Sequence, residues 1–259
     1  MPPLTLKFDA RYHRYSVNGT DVPSVTTILK ASWPAPALTY WAANQAATYA
    51  TTRWAELTEL DVIGRYEKIR KAPWSERDRS AVRGTTIHRF GEQLAHGEAV
   101  EVPPALEPVV QGYADWLDRF GVEVVAAERA VAYLPPDNLR LPYAGTFDLI
   151  ADLNDGNRWL LDIKTGSGVY PEHVLQLAAY RHATHYQPEP KGELQPMLEI
   201  DRVGVIHVLP DEVRLIPVAA DRRAWWVFTH ACHVALYARD VDAAYKEGRP
   251  WPIEEAMTA

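Results

Sequence analysis

Two aspartates, Asp148 and Asp162, and a lysine two residues after the second, Lys164, stand among Leu149, Ile150, Leu160, Leu161 and Ile163. Charges inside such apolar runs are costly to bury unless they hold a metal ion or each other. The segments that carry them read as strands, Tyr143–Leu153 and Arg158–Lys164, joined by the tight turn Asn154-Asp155-Gly156-Asn157. Adjacent strands lie about 4.8 Å apart, so the two carboxylates can converge on one ion. Asp162 and Lys164 are two apart and share a strand face. Hard divalent ions held by carboxylates suit phosphodiester hydrolysis, which needs a positioned water, a neutralised phosphate and help for the leaving oxygen. A structural Asp162–Lys164 ion pair at a sheet end would account for the same spacing.

Further groups sit at spacings that fit such a site. Glu128 interrupts the apolar run Val124–Val131, where a strand-edge carboxylate is the plainer reading. Gly84 and His88 are four apart, on one helical face, and Ala81, Gly84 and His88 make a stripe of small residues that lets a helix approach a sheet. A lone helical histidine is more often packed or solvated. Gln176 and Tyr180 are again four apart, on the helix after the Asp-x-Lys strand. Taken singly they read as surface and core. Between strand and helix, Thr165-Gly166-Ser167-Gly168 can lend backbone N–H groups to a phosphate.

Charge is unevenly spread. The 259 residues carry a net −7, yet residues 1–90 hold 13 basic and 8 acidic side chains, against 14 and 26 in residues 91–259. Lys71, Arg77, Arg79, Arg83 and Arg89 belong to a basic stretch over Gly64–Arg89. A local basic face on an acidic protein fits phosphate binding beside a carboxylate cluster, and equally a solvated helix surface. Trp33, Tyr40, Trp41, Tyr49, Trp54, Tyr66 and Trp74 crowd the same region. Aromatics among cations suit stacking on a single strand, and also the packing of an α-rich cap.

The elements that must position these groups follow from periodicity. Arg11–Val17 alternates, Asn18-Gly19 makes a hairpin turn, and Val22–Leu29 reads as the return strand, running into a helix start at Ser24. Ala37–Leu60 reads as helical with a break near Thr51-Thr52. Pro73 and Ser75, with Asp78 as capping partner, read as the start of a helix running to His96-Gly97. Pro104–Phe120 is a helix with Leu106, Val109, Val110, Tyr113, Leu117 and Phe120 inward, ended by Gly121. Val122–Tyr133 is β-rich, Leu134–Pro142 a loop, Tyr170–Tyr186 a helix opened by Pro171, Arg202–Leu209 and Glu212–Val218 strands, and Asp221–Glu247 a closing helix. The order predicts an α/β (α+β) fold with a mixed central sheet. An N-terminal hairpin and α-rich cap over 1–74 would precede a core over 75–259, without a linker between them. One cysteine, Cys232, excludes an internal disulfide and a four-cysteine zinc or iron–sulfur site within the chain. No apolar run reaches the roughly 20 residues of a membrane span, and the N-terminus lacks a signal peptide's apolar stretch, so a cytoplasmic location is expected.

Taken in order, Gly84-x-x-x-His88, Glu128, Gly145-x-x-Asp148, Asp162-x-Lys164-Thr165-Gly166 and Gln176-x-x-x-Tyr180 resemble the motif series of the PD-(D/E)XK nucleases. The resemblance is to the RecB-nuclease-like branch, which includes CRISPR-associated and mitochondrial genome maintenance exonucleases, and covers residues 83–181. Tyr12-His-Arg-Tyr15 and Pro23-Ser-Val-Thr-Thr-Ile28 echo the N-terminal segment of its phage-encoded members. The motif's leading proline is absent. The resemblance implies a restriction-endonuclease-like core and a metal-dependent DNA exonuclease acting on single strands or DNA ends in phage or bacterial recombination, replication or repair. A recombination or replication protein would be a partner, and the bacterial cytoplasm or a phage-infected host the setting. It implies Mg²⁺ or Mn²⁺ held by His88, Asp148, Asp162, the Ile163 carbonyl and Glu128, with Lys164 acting on the attacking water. Gln176, Tyr180, Thr165 and the basic residues would face DNA. No iron–sulfur cluster is implied, and without a Walker motif no helicase. A structure-specific endonuclease and a non-catalytic DNA-binding subunit are the competing readings.

Overall fold

A computed structural model of the chain describes residues 4–12, 14–33, 36–95, 97, 100–135, 141–166 and 168–247, apart from the side chains of residues 79–81, 83 and 95. His13, His96, Asp137, Asn138 and Ser167, each part of a sequence expectation, lie outside the described residues, as do the side chains of Arg79 and Arg83.

The elements in order are β1 (Leu6–Asp9), β2 (Arg14–Val17), β3 (Thr20–Val22), α1 (Val25–Ser32), α2 (Pro36–Thr52), α3 (Trp54–Thr58), α4 (Val62–Ala95), α5 (Glu107–Phe120), β4 (Glu123–Tyr133), β5 (Tyr143–Asp152), β6 (Arg158–Lys164), α6 (Pro171–Arg181), β7 (His185–Tyr186), β8 (Gln195–Pro196), β9 (Arg202–Val208), β10 (Val213–Pro217) and α7 (Arg222–Lys246). A mixed seven-stranded sheet, ordered β10-β9-β6-β5-β4-β7-β8, is flanked by helices. All its pairs are antiparallel except β6 with β9. The mixed α/β fold expected from the order of elements is therefore present.

Two compact units divide the chain, residues 34–90 and residues 1–33 with 91–259. The boundary expected at 74/75 falls inside α4, and the N-terminal hairpin belongs to the larger unit. Pro73 does not start a helix; it lies within α4, so Ser75 caps nothing. A mid-helix proline removes one hydrogen bond at a cost of about 3 kcal/mol. Glu67, paired with Arg70 at 2.8 Å and Lys71 at 3.1 Å in the turns before it, offsets part of that.

In the larger unit, Phe147, Ile150 and Leu160 of the sheet share a core with Val25 and Ile28 of α1, Leu177 and Ala178 of α6, and Phe228 of α7. Ser24 caps α1 by accepting the Thr27 N–H, and Asp221 caps α7 by accepting from Arg223 and Ala224. The return strand expected over 22–29 is therefore confined to Thr20–Val22, because the Ser24 cap starts a helix at Val25. α5 ends at Gly121 in the left-handed conformation, φ 57. Its inward face gains Trp116, which the apolar spacing had not singled out. The predicted helix over 170–186 stops at Arg181, because His185 and Tyr186 pair with Ala132 and Val131 as a short edge strand.

Candidate metal and phosphate site

The central strands β4, β5 and β6 bring the acidic residues together. The β5–β6 ladder stops at Leu149↔Leu161, one position short of Asp148. There the Asp148 carboxylate takes over the ladder's work and accepts the Ile163 N–H at 2.6 Å. On the other side of β5, the β4 register runs from Ala127↔Leu149 to Arg129↔Phe147, with Glu128 and Asp148 between. Glu128 has φ 50, the left-handed region, in the middle of a strand. For a residue other than glycine that costs about 1–2 kcal/mol, and such strain gathers at functional positions. An oxygen of Glu128 and one of Asp148 come within 4.8 Å.

Asp162 is 1% exposed. Its Oδ2 meets the Lys164 ammonium at 2.5 Å, and its Oδ1 accepts from Gln176 Nε2 at 3.1 Å. The same Gln176 amide donates to the Tyr180 hydroxyl at 3.3 Å. Tyr180 is buried and lies over Gly145: a Cβ there would stand 2.6 Å from Tyr180 Cε1. The glycine three residues before Asp148 is thus required by a ring on α6, not by backbone conformation. The N-terminal hairpin also reaches this strand. Buried Tyr15 shares a hydrogen bond of 2.8 Å with Thr146, and Ser24 bridges to Ala144.

Burial and crowding of like charge govern the electrostatics. Burial, then Asp148, Glu92 and Asp162, push the Glu128 carboxyl up to about 8. Burial and Asp148 raise the Asp162 carboxyl against the pull of Lys164. Burial opposes the charge on Lys164, but Asp162 and Asp148 outweigh it and hold the ammonium above the usual lysine range. Glu128 thus feels three carboxylates, Asp148, Glu92 and Asp162, and Lys164 is the cation beside Asp162. Protons or a bound cation must take up the surplus, and an all-oxygen set of this kind suits a hard divalent ion.

Glu92, on α4 one turn after His88, was not singled out in the sequence, because a helical glutamate there reads as surface. His88 itself lies in the unit of residues 34–90. His173 and His207 were missed too. His207 stands beside Lys164 in the β6–β9 register, and its Nε2 bonds the Gly166 carbonyl at 2.8 Å. Burial and Lys164 drive the His173 ring down to about 4. Gln176 and Tyr180 point at Asp162 and Gly145, in from the surface where DNA contact would place them. Thr165 is half-buried at the start of the loop. In the smaller unit, Tyr40, Trp54, Tyr66 and Trp74 are exposed, and α2 buries no residue. Lys71 is paired to Glu67, Arg77 is paired to Asp78 and stacks 4.9 Å over Trp74, and Arg89 lies over Phe90.

No protein-family model matches the chain, and no curated protein sequence does. Among solved structures it is similar to the crystal structure of SSO0001, at 13% identity and TM-score 0.38, over 83% of this chain and 75% of that one. A likeness of that degree carries nothing about function. No described helix is long and apolar enough to cross a membrane.

Proposed function

We propose that the protein is a divalent-metal-dependent deoxyribonuclease that hydrolyses phosphodiester bonds at DNA ends, with single-stranded DNA as substrate. The observation that carries this is the carboxylate cluster of Glu128, Asp148 and Asp162 beside Lys164, built at the point where the β5–β6 ladder opens. The order of motifs that resembles the RecB-nuclease-like branch agrees with it.

Glu128, Asp148 and Asp162 would hold Mg²⁺ or Mn²⁺, with the Ile163 carbonyl as a further ligand. Such an ion lowers the pKa of bound water and neutralises charge developing on a phosphate. The chain's own residues supply the rest. Asp148 is fixed by the Ile163 N–H, so its orientation is set by backbone. Gln176, itself held by Tyr180, fixes Asp162. Lys164, kept protonated by its carboxylate neighbours, offers positive charge and donors to the phosphate; in that state it does not act as a base. The exposed aromatics and cations of residues 34–90 suit sequence-tolerant binding of a single strand.

The deciding experiment compares linear and closed circular single-stranded DNA of one sequence, with Mg²⁺, Mn²⁺ or excess chelator. The linear strand is degraded with either ion, the circle survives, and chelator stops both. Degradation in chelator would overturn the metal assignment. Equal degradation of the circle would put the endonuclease reading first. No cleavage of any DNA with either ion would sink the nuclease reading.

A further inference from the structure

We infer that His173 forms, with Lys164, a phosphate-binding subsite at the mouth of the carboxylate cluster, its Nε2–H donating to a non-bridging oxygen of the substrate. The inference rests on the nuclease reading and adds a residue to it. His173, Gln176 and Tyr180 are spaced three and four apart on α6, which sets them on one helix face. The other two members of that face are committed inward, Gln176 to Asp162 and Tyr180 over Gly145. His173 is half-buried in the first turn, and Lys164, Asp162 and His207 all act on its ring.

Its orientation is fixed. The ring Nδ1 accepts the Tyr170 N–H at 3.2 Å, and the Tyr170 ring packs edge-on at 5.6 Å. With Nδ1 accepting, the proton of the neutral ring sits on Nε2. Gly166, two residues after Lys164, is held as well, since His207 bonds its carbonyl. A fixed N–H donor next to an ammonium, in the first turn of a helix, matches the tetrahedral oxygens of a phosphodiester. Asp162, two residues before Lys164 on β6, is the buried member of the cluster, and Lys164 bridges it to the half-buried His173 side.

The test separates donation from capping. His173→Gln keeps a side-chain acceptor for the Tyr170 N–H, the usual role of Gln at this helix position, and removes the ring donor. His173→Ala removes both. Each variant is measured for kcat and KM on linear single-stranded DNA, for thermal stability, and for Mn²⁺ affinity by calorimetry. The subsite requires kcat/KM to fall about 10- to 100-fold in both variants, with Mn²⁺ affinity kept, while stability falls in the Ala variant alone. Wild-type kcat/KM in the Gln variant would show that His173 only caps α6 and would overturn the subsite. An independent arm uses the wild-type protein and inorganic phosphate, following the His173 ring nitrogens by NMR. A phosphate-dependent shift at Nε2 supports the subsite even if no DNA is cleaved, and no shift at saturating phosphate counts against it. Failure of the nuclease reading thus stays distinguishable from failure of the subsite.

Discussion

The Asp148 carboxylate accepts the Ile163 N–H at 2.6 Å, taking the place of a strand partner where the β5–β6 ladder ends. One side chain therefore closes the backbone of β6 and presents an oxygen beside Glu128. The two duties are separable by substitution. Asp148→Ala leaves a buried N–H without its acceptor and should cost about 1–3 kcal/mol in urea unfolding. Asp148→Asn keeps an acceptor and should fold near wild type, yet bind Mn²⁺ weakly in calorimetry and leave DNA intact. Equal destabilisation of both variants would show that charge, not hydrogen bonding, holds the strand.

Gly145 is fixed by the Tyr180 ring. A Cβ at residue 145 meets Cε1 at 2.6 Å and the hydroxyl at 3.2 Å, and Tyr180 is buried on the far side and cannot swing away. Gly145→Ala should cost about 1–3 kcal/mol through overpacking. Adding Tyr180→Leu should return much of that stability without restoring cleavage, because Gln176 loses the hydroxyl that holds it. Chemical denaturation of the single and double variants checks the coupling.

Glu128 gives the metal-free protein a pH signature. Its folded-state carboxyl titrates near 8, against a usual value of 4.5. The folded state thus holds a proton that the unfolded chain has released, and stability from this group falls as pH rises from about 4.5 to 8. The full loss is on the order of 5 kcal/mol. In chelator, Glu128→Gln should gain on wild type steadily across that window and hold a constant margin above it. Mn²⁺ should stabilise the wild type more as pH rises, because binding displaces the proton. Glu128→Gly should be more stable still, since it also relieves the φ of 50. Unfolding free energies from pH 5 to 9, with and without Mn²⁺, test the sign.

The sequence marks some of these features plainly and others not at all. The strands β5 and β6, the helix α5 and the caps of α1 and α7 follow from local pattern, and the structure places them within a few residues of expectation. The positions of Asp148, Asp162 and Lys164 on adjacent strands followed from the same pattern. What escaped depends on distant partners. Gly145 needs Tyr180 on α6, and the short strands β7 and β8 exist only by pairing outward from β4. The left-handed Glu128 obeys strand alternation in sequence, so nothing local marks it. α4 runs through Pro73, a residue that locally signals a helix break. His207 gains meaning only from its register against Lys164, and His173 only from sharing a face of α6 with Gln176, whose amide reaches Asp162.

Lys164 and Asp162 are bound to each other, and removing either should have different consequences for the metal. Asp162→Ala deletes a ligand and frees Gln176, so Mn²⁺ affinity should drop and cleavage should stop. Lys164→Ala takes the ammonium from 2.5 Å off Asp162 Oδ2 and leaves that buried carboxylate without a cation. Its carboxyl should then titrate higher still, since Lys164 is what pulls it down. At pH 6 the proton competes with the metal, and Mn²⁺ binding by the Lys164→Ala variant should be weak. Toward pH 8.5 the proton competes less and Mn²⁺ supplies the missing charge, so affinity should recover toward wild type, while cleavage stays absent because nothing offers positive charge to the phosphate. Calorimetric titrations of both variants at the two pH values decide the matter. Equal loss of Mn²⁺ binding at pH 8.5 in the two would show that Lys164 serves mainly to fold the site.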